Sequence, residues 1–383
     1  MFTRRSWIGL WLGAAAALAQ PAEPLDPSLA IRFQLPPDAP VAVVGKDLGD
    51  SRIQARGGAL VLDLRATVTL RNNSTHNIRG LTLVVLAQEM APGGKGSVAA
   101  PSLNVAPGGS FPVRVNLRLL RPLPVPVGPL VEVGLDGVLF ADFGFFGPNR
   151  LESRRTLTAW EMEARRDRQH LKAVLEADGP EALRQQLLAS LKRQSDRPRL
   201  DVQVSRGARA LSAAVNALIG HNVAFAFLKI PDSPIEPLSG GAVVNGAEAS
   251  SPRIEVANRS HRPIRYFEVG WVVRDSAGRE FLAGTLPAAA GLDLRPGRIA
   301  STLQDRSYKF IRPQEAPPSI AGLTGFVSQV EFADGGLWIP SRKALEHHSS
   351  LFRLLPVSPE EQRLAELYRT QGLQALIKEL GKF

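Results

Sequence analysis

The sequence predicts a mainly β fold with α appendages: two tandem antiparallel β-sandwiches from an internal duplication, each followed by a helical hairpin. Three observations predict it. Two blocks recur 192 residues apart (332 − 140 and 340 − 148): Phe140-Ala141-Asp142 as Phe332-Ala333-Asp334, and Pro148-Asn149-Arg150 as Pro340-Ser341-Arg342. In both halves, short segments alternate apolar and polar residues between turn residues, as strands do. Each half then ends in a stretch with helical periodicity.

Four further blocks recur in the same order along the chain. They are Pro37-Asp38-Ala39-Pro40 with Pro231-Asp232-Ser233-Pro234 (231 − 37 = 194), Asn72 with Asn258 (258 − 72 = 186), Pro107-Gly108 with Pro296-Gly297 (296 − 107 = 189), and Leu171, Gly179, Leu183 and Leu187 with Leu364, Gly372, Leu376 and Leu380 (364 − 171 = 193). The offset holds within a block and drifts between blocks, as loop insertions between fixed elements would cause. The length of 383 residues also favours two domains.

The first 19 residues have the pattern of a signal peptide. Arg4 and Arg5 precede an apolar stretch, and Ala17-Leu18-Ala19 supplies small residues for cleavage before Gln20. A membrane anchor is the competing interpretation, but the apolar stretch is shorter than the ~20 residues that span a bilayer. We therefore expect an exported protein, periplasmic or extracellular, with no transmembrane segment in the mature chain. The paired arginines leave open a twin-arginine export route.

Composition excludes several chemistries. The chain has no cysteine, which excludes disulfides, thiolate nucleophiles, zinc–thiolate sites and iron–sulfur clusters. Its formal net charge is +10, and removal of Arg4 and Arg5 with the leader leaves 10 − 2 = +8. This excess favours anionic partners such as acidic polysaccharide, phospholipid headgroups or nucleic acid. No run of five or more basic residues appears, so we expect no nucleic-acid partner.

The strands follow from alternation and turn signals. In the first half we expect strands over residues 60–70, 81–86, 111–119 and 131–140, with residues 143–146 pairing back on the last. In the second half we expect them over residues 223–228, 253–257, 266–273, 299–303 and 324–332. Asp334-Gly335 predicts a tight hairpin turn before Leu337-Trp338-Ile339, because both residues tolerate positive φ. Residues 208–220 predict a short helix with no counterpart in the first half.

Short strands with regular turn signals make each body resemble the immunoglobulin-like β-sandwich modules of bacterial secreted proteins. The resemblance covers both bodies and is architectural only, since the cysteine–tryptophan–cysteine signature of antibody domains is absent. It implies antiparallel sheets facing one another and carries over no functional residue. A β-barrel remains the alternative.

The two tails change period from strand to helix. Residues 151–193 carry leucines at helical spacing and are interrupted by Asp178-Gly179-Pro180, which predicts two helices. Near the C-terminus, Ser358 and Pro359 predict a helix start, with a break at Gly372. The expected domains are residues 27–150 and 198–345 for the two sandwiches, with tails at 151–197 and 346–383. The apolar stripe of each tail must pack within the chain or on a partner.

No residue set predicts catalysis. The six histidines, His76, His170, His221, His261, His347 and His348, show no metal-site spacing. Asp142 and Asp334 are the carboxylates that the repeat singles out, and the glycines beside them indicate turns. Trp271 and Trp338 lie in predicted strands, where core packing is expected rather than sugar stacking. Asn73 and Asn258 begin glycosylation patterns.

We therefore predict no catalytic, cofactor-binding or metal-binding residues. The expected function is that of an exported, non-catalytic interaction or scaffold protein built from two modules. The alternative is a binding module for an anionic glycan or cell-envelope polymer. A concave basic stripe would favour the polymer, whereas an exposed apolar patch on the tails would favour a protein partner.

Overall fold

The computed structural model of the chain describes residues 27–56, 58–87, 95–123, 128–206, 220–287, 292–303, 306–312 and 315–383. Strands account for 47% of the residues and helices for 25%, so the fold is mainly β, as predicted. The predicted signal peptide, residues 1–19, and most of the helix predicted over 208–220 lie outside the described residues.

The first half begins with a helical turn, α1 (Pro27–Ala30), and continues with nine strands. These are β1 (Ile31–Gln34), β2 (Val41–Asp47), β3 (Arg52–Arg56), β4 (Ala59–Asn72), β5 (Ile78–Ala87), β6 (Lys95–Ala100), β7 (Ser110–Pro122), β8 (Val131–Phe140) and β9 (Phe145–Phe146). One sheet has the order β1-β8-β5-β6, with β9 also paired to β8, and the other has the order β2-β4-β3, with β7 also paired to β4.

The two sheets of the first half enclose one apolar core. Every second residue of β4 is buried, because side chains of a strand point alternately to the two faces of its sheet. Leu62 and Leu64 of β4 thus share a buried cluster with Leu81 of β5 and Val133 of β8. The polar partners in this alternation face outward.

Over its described residues, the second half contributes ten strands. These are β10 (Asp201–Arg206), β11 (His221–Phe227), β12 (Ile235–Asn245), β13 (Glu248–Asn258), β14 (Ile264–Asp275), β15 (Glu280–Pro287), β16 (Ile299–Leu303), β17 (Arg306–Ile311), β18 (Ile320–Phe332) and β19 (Leu337–Trp338). They form a continuous sheet, β10-β17-β13-β12-β11-β18-β14-β15, with β16 on β13 and β19 on β18. β11 joins the two layers, because it pairs first with β12 and then with β18.

The prediction of purely antiparallel sheets is wrong at two places. β1 runs parallel to β8, with Ile31 opposite Val131, and β11 runs parallel to β18, with Phe225 opposite Leu323. β1 and β11 each lie early in their half and pair with its last long strand, so no short hairpin fixes their direction. The remaining pairings are antiparallel.

Two buried asparagines occupy matching turns. The Asn72 side chain donates to the carbonyl oxygens of His76 and Val105, both at 2.9 Å, and its Oδ1 accepts from the backbone and hydroxyl of Ser74. Asn258 makes the same four bonds at the same lengths, to Arg262, Leu294 and Ser260.

After α1, the described residues contain the helices α2 (Ser153–Asp196), α3 (Arg342–His347), α4 (Ser349–Leu354) and α5 (Pro359–Leu380). Both predicted breaks are present, since Gly179 in α2 and Gly372 in α5 have φ of 83° and 82° with extended ψ. The predicted start of α5 is also confirmed, because the Ser358 side chain accepts from the backbone N–H of Glu361 and Pro359 opens the helix. α3 runs across the expected domain boundary at residue 345.

Each tail folds back on itself at its glycine. His170 lies 3.3 Å from Gln186 across the bend in α2, and Arg363 donates to Glu379 at 2.8 Å across the bend in α5. The two hairpins then pack against each other through buried residues of both, namely Leu171, Leu183, Leu187, Leu364, Ala365, Leu376 and Leu380. The apolar stripes of the tails are therefore covered within the chain.

Buried charges accompany this tail–tail contact. Arg168 in α2 is 4% exposed and contacts Glu161 of its own helix at 2.8 Å and Glu360 of α5 at 3.2 Å. Phe383 lies under its guanidinium, 4.1 Å from ring centre to Cζ. Because the loss of one partner would leave a buried charge uncompensated, the network ties the position of α2 to that of α5.

Candidate functional site

The two repeat aspartates lie in hairpin turns. Asp142 and Asp334 each accept a hydrogen bond from the backbone N–H two residues on, that of Gly144 at 2.9 Å and of Gly336 at 3.0 Å. Asp334 is also bound by the guanidinium of Arg262, which lowers the pKa of its carboxyl. Both side chains are thus engaged in turn geometry, and the ring of His76 lies 3.9 Å from the carboxylate of Asp142.

The remaining predicted candidates do not assemble into a centre. No group of three histidine, aspartate or glutamate side chains is close enough to hold a metal ion within the described ranges. His348 contacts the carbonyl oxygen of Lys229, and its ring lies edge-on to His347. Asn258 has no exposed surface, so its glycosylation pattern is inaccessible. Trp271 is core, as predicted, at 7% exposure.

A basic surface covers the outer face of the sheet formed by β3, β4 and β7. Inward residues of these strands are buried, so the intervening polar residues must face outward. Six exposed arginines lie on this face, and we call them the basic face: Arg52, Arg56, Arg65, Arg71, Arg114 and Arg118.

Strand register brings these arginines together. Asp63 of β4 lies between Arg52 of β3 and Arg118 of β7, which are its direct neighbours on either side. Two strand spacings of about 4.8 Å separate the backbones of those two arginines. The next outward position along β4, Val61, has Leu120 of β7 beside it. Apolar surface therefore alternates with arginine on the same face.

The basic face is poorly neutralised. Arg65 lies 3.6 Å from Asp63, and the other outward carboxylate, that of Asp47, accepts from the backbone N–H of Gly49. Over the part of the chain that the structure describes, no carboxylate pairs with the five other arginines. Six positive and two negative side chains leave the face with a local excess of four (6 − 2). Such an excess raises the local concentration of anions.

A shallow groove marks the most basic part of the face. It has a volume of about 170 Å³ and is lined by Arg52, Gln54, Arg56, Val61, Asp63 and Arg118. Guanidinium groups present a planar fork of donors that matches the oxygens of a carboxylate, sulfate or phosphate. The groove can therefore hold an anionic group.

The corresponding sheet in the second half is not basic. On the outer face of β12, β13 and β16, Ser239 donates to Glu255 at 3.1 Å and Arg253 donates to Ser301 at 2.9 Å. Nearby, Arg259 pairs with a carboxylate of β12 at 2.6 Å. Polar groups of this face are consequently satisfied by each other. The basic face therefore belongs to the first half.

Two other cavities occur in the second half. An open groove of about 470 Å³ lies where β11 leaves β12, with Phe225 and Phe227 at its base and Lys229 and Asp232 at its rim. A cavity of about 30 Å³ lies inside the core beside Trp271. The groove has mixed charge at its rim, and the core cavity holds little more than a water molecule, so neither defines a ligand by its chemistry.

The basic face went unrecognised in the sequence because its arginines are dispersed. Arg52 and Arg118 are separated by 66 positions (118 − 52) and become neighbours only through their common pairing with β4. A charge count along the polar side of each alternating strand would have found the signal, since Arg65, Arg114 and Arg118 all occupy outward positions.

Comparisons with known proteins identify no relative. No family model and no curated protein matches the sequence. Among solved structures, one described as "pT26-6p" aligns over 86% of this chain and 72% of its own, at 9% identity and a TM-score of 0.16. A β-glucosidase from Kluyveromyces marxianus aligns over 72% of this chain and 45% of its own length, at 10% identity and a TM-score of 0.14. A red sea bream transglutaminase aligns over 69% of this chain and 29% of its own length, at 9% identity and a TM-score of 0.11.

Proposed function

We propose that the protein is an exported, non-catalytic binding protein that holds an anionic partner of the cell envelope on the basic face of its first half. The observation that carries this proposal is the unneutralised arginine cluster around the groove at Arg52, Arg56 and Arg118. Partner recognition there is electrostatic and needs no cofactor.

The tails give less support to the other hypothesis, a scaffold that captures a protein partner through its helices. Their leucine stripes are covered by each other, and Leu188, at 44%, is the one exposed large apolar residue of α2 and α5 in the described part of the chain. A partner surface on the tails would present a contiguous apolar patch rather than a single side chain.

The scaffold in this proposal consists of two duplicated immunoglobulin-like modules. Matching strand order supports the duplication: β2-β4-β7 corresponds to β12-β13-β16, and β1-β8-β5-β6 corresponds to β11-β18-β14-β15. Facing sheets of three and four such strands resemble the immunoglobulin arrangement. An experimental structure in which residues 27–195 do not superpose on residues 227–383 would contradict the duplication.

Retention on a polyanion tests the binding function. We expect the chain without residues 1–19 to bind immobilised dextran sulfate at low ionic strength and to dissociate as salt is added, because exposed charges are screened within about 10 Å at 0.1 M. The triple variant Arg52→Gln, Arg56→Gln and Arg118→Gln should elute at distinctly lower salt. Its exposed substitutions leave the core intact.

A matched variant separates local charge from net charge. Arg253→Gln, Arg274→Gln and Arg295→Gln remove the same charge from exposed positions of the second half. If both triple variants lose retention equally, binding depends on net charge and the proposed site is wrong. A wild-type chain that passes through the column at low salt refutes the function as a whole.

A further inference from the structure

An exposed apolar ridge interrupts the basic face. Leu120 is 68% exposed on this face, beside Val61 of the arginine groove, and Leu123, which follows the end of β7, is 46% exposed. The backbone N–H of Leu123 donates to the carbonyl of Gly58 at 3.0 Å, which fixes the end of β7 against the β3–β4 turn. Leucines held at the surface in this way are costly in water unless a partner covers them.

The ridge is surrounded by positive charge. Arg118 precedes Leu120 by two residues on the same outward side of β7. Arg52 and Arg56 flank Gln54 on β3. Gln54 pairs with Val61 of β4, and Val61 pairs on its other side with Leu120. The surface therefore combines apolar side chains at its centre with guanidinium groups around them.

This combination discriminates among anionic partners. An acidic polysaccharide or a nucleic acid offers rings and bases to aromatic side chains. The outward positions of β3, β4 and β7 carry no aromatic residue. A bilayer containing anionic phospholipid offers phosphate oxygens to arginine and an acyl region to leucine at adjacent depths.

We propose that the basic face docks on an anionic phospholipid bilayer, with Leu120 inserted between headgroups. This inference rests on the proposed binding function and names its partner. Each arginine near such a surface contributes roughly fivefold to the partition coefficient, and each leucine that enters the acyl boundary adds about tenfold or more. Attachment is peripheral and reversible.

Vesicle co-sedimentation tests the inference. The chain without residues 1–19 should bind equimolar phosphatidylcholine–phosphatidylglycerol vesicles and not vesicles of phosphatidylcholine alone. Leu120→Ser should weaken that binding by roughly tenfold or more while retention on dextran sulfate stays unchanged. Leu238→Ser, at a residue 40% exposed in the second half, is the matched control and should have no effect.

A fluorescent reporter measures insertion directly. Leu120→Trp should shift its emission to the blue with the anionic vesicles and not with dextran sulfate. If the chain binds dextran sulfate but not the vesicles, or if vesicle binding is insensitive to the leucine replacement, the bilayer inference is wrong and the polyanion function stands. If neither probe binds, both fail.

Discussion

Replacement of Asn258 by alanine should destabilise the second half strongly. The side chain has no exposed surface and makes four hydrogen bonds of 2.7–2.9 Å. A net contribution of about 1 kcal/mol per bond gives about 4 kcal/mol. After the replacement, the carbonyl oxygen of Leu294 still accepts from the backbone N–H of Ile264, and that of Arg262 still accepts from the hydroxyl of Ser260. The expected loss of unfolding free energy is therefore about 3 kcal/mol.

Urea unfolding followed by circular dichroism measures this loss. Asn72→Ala should cost the same within about 1 kcal/mol, because Asn72 makes four bonds of the same lengths in the first half. Asn222→Ala, at an exposed position of β11, should leave the midpoint unchanged. A loss below about 1 kcal/mol at Asn258 would refute the argument that these turns depend on their buried amides.

Three further perturbations address the core, the tails and pH. Phe332→Ala should lower the free energy of unfolding by about 3–5 kcal/mol, measured in urea, since the ring is 6% exposed. Asp334→Asn should have a small effect on that free energy, because asparagine tolerates the same turn. A folded Asp334→Asn chain that loses ligand binding would contradict this. Leu183→Ala should cost about 2–5 kcal/mol and Leu188→Ala little, and equal losses would argue against the tail–tail core. Burial raises the pKa of Glu163 to about 7, so the native state holds a proton that the unfolded state releases from about pH 4.5 upward. Wild-type stability should therefore fall between about pH 4.5 and 7, and Glu163→Gln should be more stable than wild type at pH 8 by about 3 kcal/mol and equal at pH 4; parallel pH profiles would contradict this.

Several long strands were predictable from sequence, but β12, in the middle of its sheet, and the edge strands β3 and β10 were not. β8 has the predicted bounds, Val131–Phe140, because its apolar alternation is bounded by a clear turn. β3 was missed because Ile53 is its only buried residue, which leaves no alternation to detect. β10, with Asp201 and Gln203 exposed, gave no signal for the same reason.

The tail breaks were predictable and the tail partners were not. Glycine followed by proline at Gly179 marks a stop in any helix, whatever surrounds it. Which surface covers Leu171 depends on how the two halves are arranged, and that is set by contacts between residues nearly two hundred positions apart. The basic face was hidden for a related reason, since it exists only after β3 and β7 have paired with β4.

No helix in the described ranges is long and apolar enough to cross a membrane. The strength of the proposed bilayer contact would vary with lipid charge and with salt.

The interlocked tails impose an order on biosynthesis. Leu187 lies 193 residues ahead of Leu380 (380 − 187), and both belong to the same buried cluster. At a translation rate of 5–20 residues per second, roughly 10–40 s pass between the synthesis of one and of the other. The first tail is thus complete well before its covering surface exists, and a nascent chain in that interval carries an uncovered row of leucines.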